Sequence, residues 1–221
     1  MVLRVLAGIP VTVPSFYSEY RQKVLGSIEA ALRGRSVEYR VCVTPKTEKQ
    51  GGAGIVEATN FLAEKCVSEG YDFLWIVEAD VEVPPHAFDR LLCFGADINL
   101  GIYPNHRENK LLMMTGYFEE KLDALKPLVH SMYDVDQLRG KVFETMVWAG
   151  IGCALISRSV LERLRFVWDQ YEYDRFVGVH DQLFLFRAQQ LGFRVFLHGD
   201  VLCGHLPEWP LQKLEDIKFG C

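Results

Sequence analysis

Apolar and polar positions follow two rhythms along this chain, and the rhythm switches repeatedly. Val2 to Ile9 is a short apolar run stopped by Pro10, the pattern of a buried strand. After Ser15, a candidate cap, Phe16, Tyr20, Val24, Ile28 and Leu32 recur every fourth residue. That spacing gives a helix one apolar face, and Gly34 ends it. Val37 to Thr44 is β-branched and alternating, a second strand. Pro45 and the glycines of Gly51-Gly52-Ala53-Gly54 mark residues 44–54 as a flexible loop, and a helix follows from Ile55 to Ser68, closed by Gly70. Phe73-Leu74-Trp75-Ile76-Val77 is apolar on both faces, as a central parallel strand covered by helices requires. Pro84 and Pro85 then open a short helix whose buried side is Phe88, Leu91 and Leu92.

Further along, Ala96 to Tyr103 reads as a strand, as do Cys153 to Ile156, Phe193 to Leu197 and Val201 to Cys203. Helices are expected near Ser159 to Leu164 and from His180 to Gly192. Residues 104–145 are polar, rich in Met and Tyr and without a clear period, which suits an acceptor-side insertion or lid. Strands and helices that alternate in this way predict one α/β domain over 1–221, with a mostly parallel central sheet flanked by helices. Within it, 1–103 forms one half, 104–205 the other, and 206–221 a tail with Trp209 between two prolines that folds over the site.

Composition narrows the function classes. With 49% hydrophobic and 24% charged residues the chain is an ordinary globular protein. A net charge of −5 with no basic stripe argues against nucleic acid as a partner. No apolar run reaches the roughly 20 residues that span a bilayer. The first ten residues lack the basic region and cleavage site of a signal peptide, so a cytoplasmic protein is expected. The six cysteines form no C-x-x-C pair and fit buried free thiols in a reducing compartment. Gly51-Gly52-Ala53-Gly54 lacks the G-x-G-x-x-G spacing, and no G-x-x-x-x-G-K-[ST] occurs.

Chemistry concentrates where the central strand ends. Open α/β sheets bind ligands beyond the carboxyl ends of their strands, and there stand Glu78, Ala79 and Asp80. In extended backbone, residues two apart point the same way, so both carboxylates converge. They suit a hard divalent cation whose remaining ligands are phosphate oxygens and water. Strand ends also carry acids that are merely solvated, and Glu82, which continues the spacing, reads as a solvated or helix-start acid.

The segment from Phe73 to Pro84 resembles the hydrophobic strand and D-x-D motif of GT-A glycosyltransferases, with Glu78 in place of the commoner aspartate. Five more segments follow that family in order. Ala58-Thr59-Asn60 is similar to its A-R-N segment, with Thr59 for arginine. Ala96 to Gly101 resembles the next strand. Trp148-Ala149-Gly150-Ile151-Gly152 with Leu155-Ile156-Ser157-Arg158 resembles the G-x-G-x-x-L-I-x-R stretch beside the acceptor. His180-Asp181-Gln182 resembles the E-D motif, with His180 for glutamate. Cys203-Gly204-His205 resembles the late metal histidine.

The resemblance implies transfer of a sugar from a nucleotide-diphosphate sugar, a UDP- or GDP-sugar, to a carbohydrate or other hydroxyl acceptor. It implies that Asp80, Glu78 and His205 hold the metal. An imidazole among carboxylates favours manganese, with magnesium the alternative. Asp181 becomes the base of an inverting displacement, although an aspartate there also suits a helix N-cap. His180 is an acid or base beside it. Pro10, Thr12, Asn60, Ala79 and Arg107 become donor contacts, with a surface amide at Asn60 an equal reading and a solvated arginine the bland one at Arg107. Trp148 and Gly150 face the acceptor, and a structural tryptophan is the equal alternative at Trp148. The aspartate often found after the family's second strand is replaced by Val43-Thr44-Pro45. A sugar-nucleotide nucleotidyltransferase and a non-catalytic binding module of the same fold are the competing readings.

Overall fold

The computed structural model describes residues 2–12, 14–45, 51–104, 112–118, 127–134, 138–144, 147–148, 150–168, 172–173, 176–177, 180–207 and 210–212. Fourteen strands appear among them. They are β1 (Leu3–Ile9), β2 (Val37–Val43), β3 (Phe73–Val77), β4 (Val81–Glu82), β5 (Ile98–Ile102), β6 (Leu112–Phe118), β7 (Pro127–Asp134), β8 (Val142–Glu144), β9 (Val147–Trp148), β10 (Cys153–Ser157), β11 (Glu172–Tyr173), β12 (Phe176–Val177), β13 (Val195–Leu202) and β14 (Gly204–His205). The helices are α1 (Pro14–Leu32), α2 (Gly51–Ser68) and α3 (Ala87–Leu92), with two later ones over Arg158–Arg163 and His180–Gln190.

Seven strands form the main sheet in the order β2-β1-β3-β10-β5-β13-β8. β1 pairs parallel with β2 and β3, and β13 pairs parallel with β5. β10 runs antiparallel between β3 and β5, and β8 runs antiparallel at the edge beside β13. The sheet is therefore mostly parallel in strand direction, as expected. The reversal of β10 has a functional result: its start, the segment Gly150–Gly152, lies at the same edge as the carboxyl ends of β3 and β5.

Side chains alternate along each strand, so the sheet carries a core on each face. Leu6, Leu74, Ile76, Leu100, Ala154 and Ile156 point to one face, where they meet Leu62 and Cys66 of α2 and Phe184 and Leu185 of the helix His180–Gln190. Val5, Ala7, Trp75, Val77 and Leu155 point to the other, against Val24, Ile28 and Leu32 of α1 and Phe88 and Leu91 of α3. Trp75 and Phe88 pack with ring centres 5.6 Å apart. β3 is thus buried on both sides, as its sequence predicts.

Four expectations need correction. Residues 51–54 are the first turn of α2 rather than a loop. Glycine is a poor helix former, but a Cβ at Gly52 would fall 1.7 Å from the Trp168 ring, so the close approach of that indole requires glycine there. The segments Phe193–Leu197 and Val201–Cys203 belong to one strand, β13, whose register breaks between His198 and Leu202. Residues 104–145 contain strands: β6 and β7 pair antiparallel, β9 joins β6, and β8 extends the main sheet. The five described cysteines are free, but Cys93 is exposed and Cys42 only half-buried, while Cys66, Cys153 and Cys203 are buried; Cys221 lies outside the described residues.

Candidate active site

β3 ends at Val77, and the chain turns at once. The Val81 N–H donates to the Glu78 carbonyl at 3.1 Å, closing a tight turn over residues 78–81. Glu78 and Asp80 are therefore carried by a turn, not by the extended backbone that the spacing predicts. β4 follows directly and pairs antiparallel with β14, placing His205 opposite Val81. Leu206 N–H donates to the Asp80 carbonyl at 2.8 Å and locks the register. Two segments far apart in the chain are thereby held together at the carboxyl edge of the sheet.

The result is a contact between Asp80 and His205, with Nε2 of the histidine 3.4 Å from Oδ2. His205 Nδ1 lies 2.6 Å from the Pro104 carbonyl. A carbonyl only accepts, so Nδ1 carries a hydrogen and Nε2 faces Asp80: protonated, it donates to the carboxylate; deprotonated, it presents a lone pair to the same space. This is the orientation that metal-binding histidines adopt. Burial would lower the histidine's proton affinity, but the hydrogen bond and charge of Asp80, with the Pro104 carbonyl, outweigh it and raise the net value.

Glu78 lies on the other side of the turn. Its N–H donates to the Gly152 carbonyl at 2.9 Å, and Oε2 would sit 2.9 Å from a Cβ placed on Gly152. Burial, then the charges of Asp80 and Asp181, push its carboxyl up to about 8, with His205 pulling the other way. Asp181 is in the first turn of the helix His180–Gln190, and its Oδ1 accepts from the Gln182 N–H at 2.8 Å. Burial raises its carboxyl above the ordinary aspartate range, and the neighbouring His180 and backbone N–H groups oppose that rise. His180 is buried, burial lowers its proton affinity against the pull of Asp181, and neither ring nitrogen has a hydrogen-bond partner among the described residues.

Three acids and a histidine thus share one edge of the sheet, but not as a closed metal shell. Among the described residues no group of three or more His, Cys, Asp and Glu side chains is arranged to hold a metal ion. Of the expected trio, Asp80 and His205 meet, and Glu78 points instead toward Gly152. Two protein ligands still fit a hard cation that takes its other ligands from phosphate and water.

The remaining candidates separate clearly. Pro10 is buried and Thr12 half-buried at the end of β1. Between them, the Val11 N–H donates to the buried Thr44 hydroxyl at 2.8 Å, so Thr44 occupies the place of the missing aspartate by closing backbone. Ala79 is half-buried at the turn. Asn60 has both ends of its amide engaged by Phe166: Nδ2 donates to the carbonyl at 2.7 Å, and Oδ1 accepts from the N–H at 3.0 Å. It clamps the segment before Trp168. Glu82 Oε2 accepts from the Leu211 N–H at 2.9 Å, so it ties down the tail and is not simply solvated. Arg107, the Trp148 side chain and the tail beyond residue 212 lie outside the described residues; the Trp148 backbone belongs to β9.

Gly150 and Gly152 enclose Tyr103, which the sequence motifs do not single out. Tyr103, just after β5, accepts from the Gly152 N–H through its hydroxyl at 3.1 Å, and its ring meets His205 edge-on at 5.2 Å. Burial and the charges of Glu78, Asp181 and Asp80 hold its phenol well above the usual range, so it stays neutral. The signal was legible: Tyr103 ends a strand parallel in direction to β3 and so arrives at the same edge.

No family model and no curated protein matches this sequence. Among solved structures, the chain is similar to A197 from STIV at 13% identity and a TM-score of 0.52, covering 94% of this chain and 87% of that one. It also aligns with GalNAc-T7 bound to UDP, GalNAc and Mn2+, at 13% identity and a TM-score of 0.47, over 95% of this chain and 45% of that one. The catalytic domain of Drosophila beta1,4galactosyltransferase 7 with xylobiose gives 15% identity, a TM-score of 0.46, and coverage of 96% and 76%. At such identities the likeness is one of fold. The mostly parallel seven-stranded sheet between two helical layers is the α/β architecture that the sequence predicts, and A197 shares its fold.

Proposed function

We propose that this protein transfers a sugar from a UDP- or GDP-sugar to a hydroxyl acceptor with the help of a divalent cation, manganese before magnesium. The observation that carries the reading is the meeting of Asp80 and His205 across the β4–β14 ladder, at the strand edge that also bears Glu78 and Asp181. Asp80 and His205 hold the cation, and Glu78 contacts the ribose or a water of its shell. When bound, the cation offsets the negative charge that builds on the departing nucleoside diphosphate. Pro10 and Thr12 line the base at the end of β1. Arg107 pairs with the diphosphate, and Trp148 and Gly150 border the acceptor.

Asp181 takes the proton from the acceptor hydroxyl as that oxygen bonds to the anomeric carbon and the bond to the diphosphate breaks. A direct displacement of this kind inverts the anomeric centre. Burial makes the ionised Asp181 a stronger base than a solvated aspartate. His180, whose proton affinity burial lowers, stands beside it as an assisting acid or base.

The test begins with thermal unfolding of the purified protein with UDP or GDP, with and without manganese. Release of nucleoside diphosphate from a panel of sugar donors comes next. Cation-dependent stabilisation and diphosphate release are expected, and Asp80→Ala abolishes both. Consumption of pyrophosphate would assign nucleotidyl transfer instead, and stabilisation without turnover a binding module. Indifference to metals and sugar nucleotides alike ends the proposal.

A further inference from the structure

We infer that Tyr103 is a positioning residue that joins the acceptor-side glycine loop to the cation-side histidine, an inference that rests on the function proposed above. Its hydroxyl accepts from the Gly152 N–H at 3.1 Å, and the Gly152 carbonyl in turn accepts from the Glu78 N–H at 2.9 Å. One hydroxyl therefore sets the backbone from which Glu78 projects. The ring meets His205 at 5.2 Å with its plane tilted 76°, and the next residue, Pro104, supplies the carbonyl at 2.6 Å from His205 Nδ1. The dipeptide Tyr103-Pro104 thus fixes both the position and the tautomer of the histidine. The ring also explains the glycines: a Cβ on Gly150 would fall 1.9 Å from the Tyr103 hydroxyl oxygen, and one on Gly152 2.9 Å from both Cζ of the ring and Oε2 of Glu78. Tyr103 fills the room that side chains at those two positions would need.

The hydroxyl and the ring have separable jobs. Tyr103→Phe keeps the ring and the Pro104 carbonyl but leaves the Gly152 N–H without its acceptor. Tyr103→Leu removes the ring as well. Manganese binding in the presence of UDP or GDP, followed by the loss of the free-ion electron paramagnetic resonance signal, reads the cation side. Amide hydrogen exchange at Gly152 and Glu78 reads the loop side without any metal. Phe88→Leu, in the core behind Trp75, is the stability control.

Tyr103→Phe should bind manganese within about twofold of wild type, yet exchange the Gly152 amide about tenfold faster, the effect of losing one hydrogen bond. Tyr103→Leu should weaken manganese about tenfold, while Phe88→Leu binds as wild type. In turnover, Tyr103→Phe should change KM for the acceptor more than the requirement for metal. Unchanged exchange at Gly152 in Tyr103→Phe overturns the inference whether or not the wild type binds metal. So does Phe88→Leu weakening manganese as much as Tyr103→Leu. A wild type that leaves the manganese signal intact with both nucleotides instead counts against the proposed function, and the exchange result still decides the role of Tyr103.

Discussion

Replacing Glu78 by Gln tests the electrostatics of the site before any substrate is known. An ordinary glutamate titrates near 4.5, whereas burial beside Asp80 and Asp181 pushes Glu78 up to about 8. The folded protein therefore keeps a proton that the unfolded chain has already released between those two values. Stability depends on the difference in bound protons, so the metal-free fold loses stability as pH rises through that window. The ceiling on the slope is about 1.4 kcal/mol per pH unit, and solvent reaching the half-buried carboxylate keeps the observed slope below it. For a chain of this size, 1 kcal/mol moves the midpoint by about 2–4 °C.

Thermal unfolding at pH 5 to 8 in a chelator should thus show a falling midpoint for wild type. The Gln variant, which has no proton to lose, should show a flatter line and overtake wild type toward pH 8. Asp181 and His205 also have raised proton affinities, and His180 and His198 lowered ones, so the informative quantity is the difference between the two curves. Manganese with UDP should reverse the wild-type trend, because the cation supplies the positive charge that the proton otherwise brings. Parallel curves for wild type and Glu78→Gln would refute the placement of Glu78 among the other acids.

Three further substitutions probe separate parts of the design. Asn60→Ala leaves the Phe166 N–H and carbonyl without their amide partner and should cost about 1–3 kcal/mol in chemical denaturation. Gly150→Ala sets a methyl 1.9 Å from the Tyr103 hydroxyl, so the tyrosine must shift; overpacking of this kind costs about 1–3 kcal/mol, and donor turnover should fall with it. Gly52→Ala should displace Trp168, seen as a shift in tryptophan fluorescence, despite alanine's better helix propensity.

The parts of the fold written in local pattern were legible. The four-residue recurrence of α1 and the doubly apolar run of β3 gave their elements and their buried faces, because each follows from burial within one element. What depends on contacts distant in sequence was not. Nothing near Gly52 says that Trp168 will lie across it, so four glycine-rich residues read as a loop although they open a helix. The reversal of β10 is set by pairing with β3 and β5, and period alone cannot give a strand its direction. At the site, the residue types Glu78, Asp80, Asp181 and His205 were readable, but their relation was not. A turn, not an extended strand, orients the acids, and the β4–β14 ladder selects which acid meets the histidine. Tyr103 carries no charge to mark it, and only the direction of β5 relative to β3 brings it to this edge.

The bond between the Tyr103 hydroxyl and the Gly152 N–H also closes a ring of covalent chain. The chain leaves β5 at this point and comes back to β10 within one hydrogen bond of it, having placed β8 at the far edge of the main sheet on the way. The free energy of closing such an excursion grows only with the logarithm of its length. The length of chain between β6 and β7 should therefore be a weak constraint, whereas changes that disturb β8 or the buried Leu138 should reach the main sheet.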